Sequence, residues 1–150
     1  MQLEKKDYIY VCLQLLLFIA YIFNANLIDI TTNLITNYIG LTITIIGVLT
    51  AIIALLQLNT NLSPFPTPKS NSSLITNGVY KFVRHPIYTG IILVTFGYGL
   101  YTDSPYKISI SMLLYILFYF KSSYEEQRLK ITFSDYTLYQ KRSGRFFPKI

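Results

Sequence analysis

One short segment of the chain concentrates side chains that could bind a polar ligand. Arg84, His85 and Tyr88 surround Pro86, a residue that suits the first turn of a helix. The free backbone N–H groups of such a turn favour an anion. Arg84 adds a fixed, positively charged fork that matches a carboxylate or a phosphate. The segment therefore predicts a ligand site at the start of a helix.

A second cluster of ionisable side chains lies about 40 residues further on, where Glu125 and Glu126 follow an apolar run. If the last two apolar segments pair as a helical hairpin, these carboxylates return beside Arg84 and His85. Each residue also has a purely structural interpretation. Arg84 would anchor a helix at lipid headgroups, His85 would be a satisfied structural group, and the two glutamates would be solvated or paired with basic residues.

The sequence gives no sign of a metal site or a disulfide. Cys12 is the only cysteine and His85 is the only histidine, so no Cys/His cluster can form. We therefore expect no metal ligand in this chain.

The composition indicates a membrane protein. Hydrophobic residues make up 52% of the chain and charged residues only 13%, whereas a soluble domain carries about 25% charged residues. An apolar run of about 20 residues is long enough to cross a bilayer. We predict an all-α, polytopic protein that forms a single domain over 1–150, with a cytoplasmic helical tail at 124–150. The predicted transmembrane helices cover about 8–28, 38–58, 86–101 and 107–123.

The distribution of basic residues predicts the orientation. If the N-terminus is cytoplasmic, Lys107 is the only one of the 13 Lys and Arg residues outside the cytoplasmic segments. Such a bias is typical of positive-inside topology and places both termini and the active site in the cytoplasm. It also explains the net charge of +6 without nucleic acid as a partner. The predicted spans hold almost no ionisable residue, which argues against a channel or a proton-coupled transporter.

The motifs around these residues resemble a known family. They are FPTP at 65–68, LITNGVY at 74–80, RHPIYTG at 84–90, Glu125-Glu126, and RFFP at 145–148. Together they are similar to the core of the isoprenylcysteine carboxyl methyltransferase family, to which phospholipid methyltransferases are more distantly related. The similarity covers about residues 62–148. Val79 departs from the proline that the family often has after its glycine.

The resemblance implies methyl transfer from S-adenosylmethionine (SAM) to a lipophilic, membrane-borne acceptor that is a carboxylate or an amine. It implies a cofactor-binding set of Gly78, Tyr80, His85, Pro86, Tyr88 and Glu126. The catalytic set that it implies consists of Arg84, Arg142 and Glu125. In this interpretation Glu126 balances the cationic part of SAM, and either arginine binds an anionic acceptor.

The expected partners are the membrane and a lipophilic small molecule or lipid-modified substrate, with no obligate protein partner. Two other functions remain open at this point. Membrane sterol reductases, which use a nicotinamide cofactor, share a related C-terminal motif, but this chain is too short for their full set of helices. A non-catalytic membrane scaffold or sensor could also retain the fold.

Overall fold

The computed structural model describes residues 3–23 and 33–149, and this part of the chain is all-helical, as predicted. Two short 3₁₀ turns, Asn59–Asn61 and Gly78–Lys81, accompany the α-helices. The five α-helices are α1 (Lys5–Ile22), α2 (Leu34–Leu58), α3 (Pro86–Tyr101), α4 (Pro105–Thr132) and α5 (Tyr136–Arg142).

Helix α1 begins at Lys5, three residues before the predicted start. The Asp7 carboxylate accepts a hydrogen bond of 2.8 Å from the backbone N–H of Glu4, so the first turn is closed ahead of the apolar run. The predicted end of this helix, at residue 28, lies outside the described residues.

Helix α2 also begins before its apolar run, because the side chain of Asn33 accepts a hydrogen bond of 2.9 Å from the N–H of Thr36. It ends at Leu58, as predicted. Among the described helices, the stretch Leu34–Asn61 is the one that is both long and apolar enough to cross a membrane. Pro86–Tyr101 is a shorter apolar helix.

Small residues let α2 and α3 pack backbone against backbone. A Cβ atom placed on Gly47 would lie 2.7 Å from the backbone nitrogen of Val94, and one placed on Gly90 would lie 2.8 Å from Ala51. Real Cβ atoms do not come so close to a neighbouring backbone. Close approach through small residues is typical of helix pairs in membranes.

Helices α3 and α4 form the predicted hairpin. The Oγ1 of Thr95 and the Oγ of Ser111 hydrogen-bond across it at 2.9 Å. Helix α3 has its predicted bounds, whereas α4 extends beyond the predicted 107–123 at both ends and includes the first part of the predicted tail. The reason is local: Ser104 caps the start, and neither Gly nor Pro interrupts the chain until Gly144.

Helix α1 packs against α4, where its Phe18 and Leu17 cover a core that contains Leu114 and Phe118. The hydroxyl of Tyr21 donates to the backbone oxygen of Thr95 at 2.6 Å, which ties α1 to α3 as well.

The end of the chain folds back over the start of α3. The backbone N–H groups of Arg84 and His85 donate to the oxygens of Gly144 (2.8 Å) and Arg145 (3.1 Å). The Oγ1 of Thr89 donates to the oxygen of Phe146 at 2.9 Å. The tail therefore fixes the helix start at which the candidate site residues lie.

Candidate active site

A cavity of about 340 Å³ lies where the ends of α2, α3 and α4 meet α5 and the proline-rich loop. Small-molecule sites in proteins commonly have volumes of about 300–1,000 Å³. Apolar side chains form one part of its wall: Leu58, Leu62, Phe65, Ile87, Ile91, Leu129 and Phe133. Six of the residues predicted from the sequence also line it: Tyr80, Arg84, His85, Pro86, Tyr88 and Glu125.

Glu125 is the glutamate that faces the cavity. Its Oε2 accepts a hydrogen bond of 2.8 Å from the hydroxyl of Tyr88 and lies 3.8 Å from Nδ1 of His85. Its side chain keeps 25% of its surface exposed. A carboxylate oriented by a tyrosine and still accessible can contact a cationic ligand directly.

Glu126 is buried behind this wall and is not among the cavity-lining residues. Its Oε1 accepts from Nε of Arg84 at 2.8 Å and lies 3.2 Å from Nε2 of His85. Its Oε2 accepts from the side chains of Gln140 at 2.7 Å and Arg145 at 3.4 Å. The structure thus brings the glutamates beside Arg84 and His85, as the hairpin predicted.

The electrostatic environment keeps Glu126 ionised. Burial by itself raises the pKa of this carboxyl, but the hydrogen bonds and charges of His85 and Arg84 outweigh burial and lower the pKa to about 2. At neutral pH Glu126 is therefore a fixed negative charge that holds its neighbours in place.

Arg84 is occupied by protein groups. Besides Glu126, its guanidinium donates to the backbone oxygens of Gln140 and Ser143, and only 8% of its side-chain surface is exposed. These bonds join the start of α3 to the end of α5. The predicted anion-binding role of Arg84 remains a prediction.

A stack of rings sets the orientation of Tyr88. Its ring lies parallel to Phe118 on one side, with centroids 4.6 Å apart, and to His85 on the other, with centroids 5.5 Å apart. The two stacked rings and this hydrogen bond together direct the Tyr88 hydroxyl to Glu125.

Gly78 and Arg142, both predicted from the resemblance, lie outside the cavity lining. Gly78 has a φ of 58° and packs against Gln57, whose Oε1 accepts a hydrogen bond of 3.0 Å from Val79. It therefore shapes the turn that carries Tyr80. Arg142 is exposed on α5, and of the two arginines near the end of the chain it is Arg145 that contacts Glu126.

The prediction omitted several buried residues that shape the site. Lys121 lines the cavity, and its Nζ donates to Oε1 of Gln14 (2.6 Å) and to the oxygen of Pro64 (3.0 Å). Its position one helical turn before Glu125 was the signal available in the sequence.

Asp7, which is fully buried, accepts hydrogen bonds of 2.9 Å from both the N–H and the hydroxyl of Thr67.

In the part of the chain that the structure describes, no group of three or more His, Cys, Asp or Glu side chains is arranged to hold a metal ion. The polar part of the site consists of tyrosine rings, the carboxylates of Glu125 and Glu126, and the basic side chains of Arg84 and Lys121.

Comparison with known proteins agrees with the motifs. The family model for phospholipid methyltransferase matches residues 35–135, about two thirds of the chain. A curated relative, the cobalt-zinc-cadmium resistance protein CzcN of Cupriavidus metallidurans, is 31% identical over 83 residues. That alignment covers 55% of this chain and 38% of the relative, so the chain spans well under half of the relative's length. The resemblance predicted from the motifs is confirmed at the level of the family.

Proposed function

The chain belongs to the phospholipid methyltransferase family, and we propose that it transfers a methyl group from SAM to a lipophilic acceptor in the membrane. The family is membrane-associated and consists of methyltransferases that act on lipid-like substrates. The observation that carries the proposal is the position of Glu125: an oriented, accessible carboxylate in a cavity that also has tyrosine rings and an apolar wall.

The residues present fit SAM. When bound, SAM would supply a methyl group on a positively charged sulfur, from which the neutral thioether S-adenosylhomocysteine is a good leaving group. The carboxylate of Glu125 complements that positive charge, and the ring of Tyr80, which lines the cavity, offers aromatic surface for a cation or for adenine. The cavity volume of about 340 Å³ is in the range of small-molecule sites.

We assign Glu126 and Arg84 mainly a positioning role. Their ion pair connects α4, the start of α3 and the end of α5, and it holds His85 between the two glutamates. Correct orientation of two reactants can lower a barrier by about 7–11 kcal/mol, so a rigid frame is a substantial part of such catalysis.

The choice of acceptor decides whether a base is needed. A carboxylate acceptor is already ionised and needs none. An amine acceptor has to lose a proton, and Glu125, the accessible carboxylate in the cavity, is the group proposed to take it. If the acceptor is anionic, Arg84 and Arg142 remain the residues proposed to bind it. The acceptor's lipophilic part would lie along the apolar wall formed by residues such as Leu62 and Ile91.

We further propose that α1, α3 and the 107–123 part of α4 cross the bilayer together with α2, with both termini and the cavity on the cytoplasmic side. Large apolar side chains are exposed along α1 and α4, for example Leu16, Ile19, Leu113 and Ile116. Exposed apolar surface on this scale needs a lipid or protein partner. In this arrangement SAM enters from the cytosol and the acceptor from the bilayer.

The experiment that tests the proposal is methyl transfer by the full chain in vesicles made from membrane lipid extract. SAM labelled in its methyl group is added, and label is measured in the extracted lipid. We expect incorporation with the wild type, a loss of at least tenfold in Glu125→Gln, and little change in Asp135→Asn, which removes an exposed carboxylate. If SAM binds and no label is transferred, the non-catalytic scaffold or sensor is favoured instead.

A further inference from the structure

The hydroxyl of Tyr136 is buried without a partner. Its side chain is 1% exposed, and its Oη has no hydrogen-bond partner among the described residues. Tyr136 also lines the cavity. A buried polar group normally forms a hydrogen bond, because leaving it unpaired costs the free energy of its lost hydration. A partner supplied by a ligand would remove that cost.

The surrounding structure holds the Tyr136 ring in place. It is at the start of α5, where its N–H donates to the oxygen of Phe133 at 3.1 Å. The ring of Tyr139 packs edge-on against it, with centroids 5.8 Å apart. The hydroxyl of Tyr139 is satisfied, since it donates to the oxygen of Tyr80 at 2.6 Å. Two neighbouring tyrosines therefore differ in one respect: one hydroxyl is bonded within the protein and the other is not.

The surroundings of Tyr136 keep its hydroxyl protonated, so that this group acts as a hydrogen-bond donor. Burial raises the pKa of its hydroxyl, and the negative charge of Glu126 raises it further, although Arg84 partly opposes this. The group is consequently protonated at neutral pH, and an unpaired O–H donor requires an oxygen or nitrogen acceptor.

We propose that the Tyr136 hydroxyl is a cofactor-binding group that donates a hydrogen bond to an acceptor atom of the nucleoside of SAM, a ring nitrogen or a ribose oxygen. This inference rests on the proposed function and extends it to the tail of the chain. SAM is favoured over the lipophilic acceptor because the charged residues Arg84, Glu125 and Glu126 act on Tyr136. The nearby carboxylates also suit a cationic ligand.

The test compares two variants with the same chemical change. Tyr136→Phe removes the unpaired hydroxyl. Tyr106→Phe removes a hydroxyl that donates to the oxygen of Ala20 at 2.9 Å, on a residue outside the cavity lining. Affinities for SAM and for its demethylated product, S-adenosylhomocysteine, are measured by calorimetry on the full chain in detergent. The thermal unfolding midpoint is measured without ligand.

We expect Tyr136→Phe to bind both nucleosides about tenfold more weakly, equivalent to about 1.4 kcal/mol, with an unfolding midpoint equal to or above that of the wild type. Tyr106→Phe should show the reverse pattern, with a lower midpoint and unchanged affinity. Wild-type affinity in Tyr136→Phe would overturn the inference and leave the proposed function standing. A lower midpoint in Tyr136→Phe would also overturn it, because the hydroxyl would then have an internal partner. A wild type that binds neither nucleoside would contradict the proposed function itself.

Discussion

Glu126 is expected to be the main electrostatic support of the site. Its carboxylate joins α4 to Arg84 and His85 at the start of α3 and to Gln140 and Arg145 near the end of the chain. Glu126→Gln keeps the size of the side chain and removes its charge. The variant leaves Arg84 buried without its counter-ion, which is a costly change in a protein interior.

The magnitude follows from the pKa of this carboxyl. Its ordinary value is 4.5 and its value in the folded chain is about 2. Each unit of difference corresponds to about 1.36 kcal/mol, so the ionised form of Glu126 contributes roughly 3 kcal/mol to the free energy of unfolding at neutral pH. We therefore expect Glu126→Gln to lower the free energy of unfolding by about 3 kcal/mol.

The pH dependence has a defined sign. Because the pKa of Glu126 is lower in the folded chain, its contribution is fully present above about pH 4.5 and is lost as the pH falls toward about 2. The assay is denaturant unfolding in detergent, monitored by circular dichroism at several pH values from 7 to 3. Asp135→Asn is the control for loss of an exposed carboxylate. The difference between wild type and Glu126→Gln should shrink as the pH falls. A difference below about 0.5 kcal/mol at pH 7, or one independent of pH, would refute the reasoning.

Two further predictions concern the frame around the cavity. One Asp7 oxygen accepts from the N–H of Thr67 and the other from its hydroxyl, and Asp7→Asn replaces one of these oxygens with an NH₂ group that cannot accept. The free energy of unfolding should therefore fall by about 2 kcal/mol, and protease cleavage within residues 62–68 should accelerate. Gly47→Val would push α2 away from Val94, and we expect a loss of about 2 kcal/mol or more in denaturant unfolding.

Each of these changes has a matched control. For Asp7→Asn the control is Thr67→Val, which removes the partner hydroxyl alone and should cost less; cleavage at the wild-type rate in Asp7→Asn would contradict the assignment. For Gly47→Val the control is Val48→Ala on the exposed side of the same helix, which should change the free energy of unfolding by less than about 1 kcal/mol. Equal effects at positions 47 and 48 would show that α2 and α3 do not pack closely there.

Local signals in the sequence were sufficient for much of the fold. Pro86 marks the start of α3, and pairing of the last two apolar segments as a hairpin is enough to return the glutamates to Arg84 and His85. The length of α4 was underestimated because its polar end was assigned to the tail. A helix continues through polar residues when nothing breaks it.

Other features depend on packing between distant segments, and the local pattern does not contain them. Which glutamate faces the cavity depends on how α4 is rotated about its axis. Arg145, rather than Arg142, reaches Glu126 because the chain turns after α5 and runs beside the start of α3. The contact between Lys121 and Gln14 joins residues that are 107 positions apart.

The measurement that tests the central claim most directly is the preference of the wild-type chain for SAM over S-adenosylhomocysteine, compared with the same preference in Glu125→Gln. The two ligands differ in the methyl group and in the positive charge that it places on sulfur. If Glu125 faces that charge, the wild type should bind SAM more tightly than S-adenosylhomocysteine, by about 1 kcal/mol or more in binding free energy. Glu125→Gln should lose most of this preference. A chain that binds neither ligand, or a preference that is the same in both proteins, would contradict the account.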